Sequence, residues 1–105
     1  MPEQSTERRA LVVTSDLFFR AKLAAALEQA GWVVSWCGTA PLAVVELGSP
    51  HAMSRIQRLV ASGSRVIAFG SHVSAELLRE ARKAGALAVP NSEVERVLRE
   101  EIAGS

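Results

Sequence analysis

From Leu42 to Pro50 the chain is LAVVELGSP: an apolar run, a single carboxylate at Glu46, then Leu, Gly, Ser and Pro. An uninterrupted apolar run suits a strand buried on both faces, as in parallel sheets covered by helices. Such a strand carries its last polar residue to its C-terminal end, which is where open α/β sheets build their sites. The run therefore sets both a fold class and a candidate position for function.

The rest of the chain alternates in the same way. Ala10–Thr14 is a short apolar strand. Asp16 then caps a helix whose apolar positions Phe19, Leu23, Ala26, Leu27 and Ala30 keep helical spacing up to the stop at Gly31. Trp32–Cys37 (WVVSWC) is a second strand by its β-branched and aromatic content, and Leu42–Leu47 a third. Ser49-Pro50 opens a helix carrying Met53, Ile56, Leu59 and Val60 and stopping at Gly63. Arg65–Gly70 is a fourth strand. Ser74 caps a helix with Leu77, Leu78, Ala81 and Ala84 inward, and Leu87–Val89 is a fifth strand. Ser92 and Glu95 have the spacing of a capping box before Val94, Val97, Leu98 and Ile102.

Strands alternating with helices imply a three-layer α/β domain around a five-stranded parallel sheet. One connection breaks the pattern. Only Gly38, Thr39, Ala40 and Pro41 separate the second and third strands, whereas a parallel crossover ordinarily takes about a dozen residues and a helix. Either the chain returns in an extended crossover, leaving a sheet face thinly covered, or strands two and three form a hairpin around GTAP. The parallel order of the later elements favours the crossover. A thinly covered face invites a partner.

With 105 residues the chain suits one domain over residues 10–105, preceded by a polar lead-in, 1–9, expected to be mobile. Twelve basic and eleven acidic residues give a net charge of +1, which leaves no basic footprint for nucleic acid. The polar N-terminus and the lack of a long apolar stretch argue against export or membrane insertion. Cys37, the one cysteine, has no internal partner and no activating neighbour, consistent with a reducing, cytoplasmic setting.

From about Ala10 to Ala103 the chain resembles the receiver domains of response regulators, carried by VVTSD after the first strand, VVELGSP around the third, IAFGSHV after the fourth and the AGA-x-x-VPNS run near the fifth. The resemblance implies a flavodoxin-like fold with strand order 2-1-3-4-5 and with the second helix missing. It also implies a phosphate-accepting site: an acid pair holding Mg²⁺, an acceptor aspartate, a Ser/Thr switch and a lysine. Here those positions hold Thr14 and Ser15 (with Asp16 one step later), Glu46, Gly70 (with Ser71 and His72 following) and Asn91. Mg²⁺ requires near-octahedral oxygen ligation including carboxylates, and phosphoryl transfer relies on metal and lysine to neutralise charge. The resemblance thus points to a degenerate pseudo-receiver, without phosphorylation, metal or cofactor. FGSHVSAELLREARKAGA is also similar to small stand-alone receiver-like proteins of bacteria.

Glu46 is either a permanent charge in the acceptor's place or a partly buried carboxylate satisfied by Thr14, Ser71 or Asn91. His72 could suggest acid–base chemistry with Glu46, but a histidine packed over a strand end is the simpler account. Adjacent Ser71 and His72 do not make a triad with Glu46, and His51 lies on another loop. The first turn, TSDLFF, lacks the glycines of a dinucleotide site. Trp32 and Trp36 share one face of strand two and are interface candidates. The expectation is a non-enzymatic regulatory module acting through a protein partner or as a homodimer. The alternative is a small-ligand binder using the cleft of Ser15, Asp16, Glu46, Ser71, His72 and Asn91.

Overall fold

The computed structural model describes residues 7–104; residues 1–6 of the expected lead-in and Ser105 lie outside that range. Five strands, β1 (Arg9–Val13), β2 (Val33–Ser35), β3 (Leu42–Glu46), β4 (Arg65–Gly70) and β5 (Leu87–Pro90), form one sheet in the order β2-β1-β3-β4-β5. All neighbours are parallel. Helices α1 (Leu17–Gln29), α2 (Ala52–Ala61), α3 (Ala75–Lys83) and α4 (Val94–Ala103) cover it. Because side chains on a strand alternate faces, the apolar runs divide into two cores. Ala10, Val12, Leu42, Val44, Ile67, Phe69 and Val89 meet α1 and α4. Leu11, Ala43, Val45, Val66, Ala68 and Ala88 meet α2 and α3. None of the described helices is long and apolar enough to cross a membrane.

Helix α1 begins as its sequence dictates, with the Asp16 carboxylate accepting from the Phe18 and Phe19 amides at 2.9 and 3.3 Å. It ends at Gly31, whose φ of 85° suits the left-handed position that closes a helix. The Trp32 amide donates to the Leu27 carbonyl at 2.9 Å, which keeps Trp32 out of β2. Its indole is 6% exposed and lies in the core with Leu23 and Leu27. Trp32 therefore cannot anchor a partner, contrary to expectation, whereas Trp36 is 45% exposed and has the Arg20 guanidinium 4.4 Å above its ring.

Three helix starts differ from their sequence signatures. Helix α2 begins at Ala52 after His51 in a left-handed conformation (φ 57°), and Ser49 does not cap it. The Ser49 hydroxyl donates instead to the Glu46 carbonyl at 2.6 Å, closing the turn after β3. Ser74 makes no side-chain cap on α3. The Ser92–Glu95 box does not form, because a 3₁₀ turn over Asn91–Glu93 intervenes and Glu93 is the residue that precedes α4. Glu95 faces cations: Arg99 at 2.9 Å and Lys22 of α1 at 3.3 Å. The hydrogen bond from Arg99, helped by Lys22 and partly opposed by burial, holds its carboxyl below the usual glutamate value.

The anomalous connection is an extended crossover, not a hairpin: β1 lies between β2 and β3, and both pair parallel to it. Ala40 is buried in the α2–α3 core, on the face opposite α1, as right-handed connections require when the chain reverses direction along the sheet. The Ser64 hydroxyl donates to the Ala40 carbonyl at 2.6 Å, the Arg65 amide to Pro41 at 2.9 Å and the Arg9 guanidinium to Thr39. Among the described residues no helix covers β2 on this side, and Val33 is 63% exposed there.

Gly85, between α3 and β5, has φ 106°, and a Cβ there would lie 3.0 Å from Val60 Cγ1 on α2. Gly85→Ala combines a left-handed strain with this close contact and is expected to cost about 1–3 kcal/mol. Urea denaturation of the two proteins checks this.

Candidate functional site

Parallel strands bring their C-terminal residues to one edge of the sheet, so Glu46, Gly70 and the residues following Val13 and Pro90 meet there. Thr14, the first residue beyond β1, is 8% exposed. Its hydroxyl donates to Glu46 Oε1 at 2.6 Å and accepts from the Asp16 amide at 3.1 Å. One buried threonine thus links the β3 carboxylate to the turn that starts α1. Of the three partners considered for Glu46, Thr14 is the one that holds it.

The other candidates are placed separately. Ser15, Asp16 and His72 are exposed. The Ser71 hydroxyl accepts from the Val73 amide at 3.3 Å, and its carbonyl from Ser74 at 2.9 Å, so it stabilises its own turn. Asn91 is exposed at the head of the 3₁₀ turn and lines a groove of about 780 Å³ between α1 and α4 with Phe18, Phe19 and Glu95. Gly70 is buried, and a Cβ there would meet Leu47 Cβ and Cδ1 at 3.3 Å. Leu47 fills the space that a side chain at the end of β4 would need.

A cavity of about 260 Å³ lies at the same strand ends, lined by Thr14, Ser15, Arg20, Trp36, Ser49 and Pro50 among others. Of these, Arg20, Ser49 and Pro50 were not legible as site residues. Arg20 sits on the helix face that rises beside β2, and its stacking on Trp36 depends on a register that only the assembled sheet supplies. Ser49 carries a helix-start signature but serves the turn after β3.

The carboxylates present do not fit an octahedral Mg²⁺ site. Asp16 Oδ1 is committed to two backbone amides of α1, and Glu46 Oε1 to Thr14. Among the described residues no group of three or more His, Cys, Asp or Glu is placed to hold a metal ion.

No family model matches the chain, and no curated protein matches it. Solved structures do. The BeF₃-activated DrrB receiver domain superposes with a TM-score of 0.79 at 15% identity, over 94% of this chain and 97% of that one. A CheY-like receiver domain protein from Methanospirillum hungatei JF-1 gives 0.76 at 21% identity, over 94% and 93%. An orphan response regulator of H. pylori gives 0.70 at 14% identity, over 97% and 95%. The fold is that of receiver domains along nearly its whole length.

The Thr14–Glu46 bond is the testable element of the strand-end site. Thr14→Val keeps the shape but leaves both the carboxylate and the Asp16 amide without a partner. It is expected to cost about 1–3 kcal/mol in urea denaturation. Thr14→Ser retains the hydroxyl and should recover most of the loss. Glu46→Gln, whose amide oxygen can still accept, should cost less than Thr14→Val.

Proposed function

We propose that this domain is a non-enzymatic, receiver-like regulatory module that works through protein contacts and is not phosphorylated. The observation that carries the proposal is Glu46: a carboxylate at the end of the central strand, already bound by a buried threonine hydroxyl at 2.6 Å. In this reading Glu46 takes the acceptor's place as a fixed charge. Phosphoryl transfer at such a position depends on groups that neutralise developing charge. Thr14 and Ser15 offer hydroxyls where carboxylates would hold a metal, and Asn91 offers an amide where a lysine would stand. Leu47, packed against Gly70, leaves no room for a switch hydroxyl without shifting.

A second copy of the chain is the partner favoured by the β2 edge. β2 is outermost, so among the described residues its far edge has no strand partner. Val33 is exposed on one face of the strand, and Trp36 just beyond its end. Unpaired strand edges recruit further strands unless they are blocked, and exposed tryptophan is frequent among residues that dominate interfaces. A small-ligand site is the rival reading, and the strand-end cavity with Arg20 over Trp36 favours it.

Incubation with acetyl phosphate and Mg²⁺, followed by intact-mass measurement, tests the first proposal. The expected spectrum is that of the unmodified chain, and a stoichiometric adduct of about 80 Da on Glu46 would overturn it (the mass of one added phosphoryl group). Sedimentation over a concentration series tests the second. A dimer that shifts toward monomer in Trp36→Ala is expected, and a wild type that stays monomeric throughout removes the β2 interface.

A further inference from the structure

Cations and anions are unevenly distributed over this domain. Among the described residues, α3 and α4 carry arginines paired with glutamates: Arg79 with Glu76, Arg96 with Glu93 and Glu100, and Arg99 with Glu95. Helix α2 differs. Its sequence, AMSRIQRLVA, contains Arg55 and Arg58 and no acid. Between Ala30 and Ser64 the chain has one carboxylate, Glu46, and Thr14 holds it at the strand ends.

The two arginines line one cavity of about 300 Å³ with Gly38, Thr39 and Leu59. One wall is α2 and the other is the extended crossover, so the cavity exists because no helix covers this flank. It shares no lining residue with the strand-end cavity. Among the described residues neither arginine has an ion pair, and the Arg55 Nε–H is buried with no acceptor. An unmet buried donor is unfavourable. Like charges three residues apart on a helix add a further repulsion.

We infer that the cavity between the β2–β3 crossover and α2 binds a phosphoryl group through Arg55 and Arg58. A phosphate monoester carries roughly two negative charges near neutral pH, which matches two guanidinium cations. Its oxygens suit the planar donor fork of arginine, which pairs with phosphate in a bidentate manner. Leu59 supplies an apolar wall for a small organic body. Glu46 takes no part, so the inference stands whether or not the domain is phosphorylated at the strand ends.

Titration with inorganic phosphate, followed by amide NMR at constant ionic strength, tests the site. Saturable shifts are expected at Gly38, Thr39 and Arg55–Leu59. Arg58→Gln, which changes an exposed side chain, should keep the native spectrum and weaken binding about tenfold or more. Arg55→Gln should do the same, and Lys83→Gln on α3 should bind like the wild type. Glycerol phosphate and a phosphoserine peptide, run in parallel, separate a small metabolite from a modified protein as the source. Preferential binding of either one, lost in Arg58→Gln, supports the site. Equal shifts with chloride, undiminished binding in Arg58→Gln, or no saturable response to any of the three probes overturns it.

Discussion

Six residues, Trp36 to Pro41, carry the chain from β2 across β1 to β3. The displacement is two strand spacings, ~10 Å, together with the return along the sheet, and six extended residues can span roughly 20 Å. The segment has little slack and no length for a helix. Much of what distinguishes this domain follows from that constraint. Ala40 enters the core in place of a helix, and Arg9, Ser64 and Arg65 fix the segment through its carbonyls. Val33 is left in solvent, and the outward flank of α2 becomes a cavity wall.

The strand ends depend on one small network. Thr14 is buried enough that both of its hydrogen bonds are made without competition from bulk water, and it ties Glu46 to the start of α1. The same turn holds Asp16, whose carboxylate is occupied with the helix amides. Side chains that a sequence comparison aligns as one site are thus divided between separate tasks. Thr14 and Glu46 hold each other, Ser71 holds its own turn, and Asn91 faces the groove beside α1.

The parallel sheet and its helical cover on both faces were legible because the apolar runs have the right lengths and the later connections are ordinary, whereas the strand order came only with the resemblance to receiver domains. The crossover was legible as an anomaly, and its resolution followed from the parallel pairing of the rest. Helix starts were read less well. A serine at a cap position is a local signal, and at Ser49, Ser74 and Ser92 the turn geometry or a 3₁₀ segment prevailed over it. Trp32 shows the same limit: strand parity gives its side of the sheet, but the closing turn of α1 decides that its ring goes inward. Arg20 and the α2 arginines carried no signal, since an unpaired charge is recognised only once the positions of the acids are known.

The close spacing of Gly70 and Leu47 couples two positions far apart in the chain. A side chain at position 70 requires Leu47 to move, yet Leu47 is 6% exposed and belongs to the α2–α3 core. A hydroxyl-bearing residue in place of Gly70 at the end of β4 requires Leu47 to give by a few tenths of an ångström, and shrinking Leu47 alone would open a void beside Gly70. What fits at one position therefore depends on the side chain at the other.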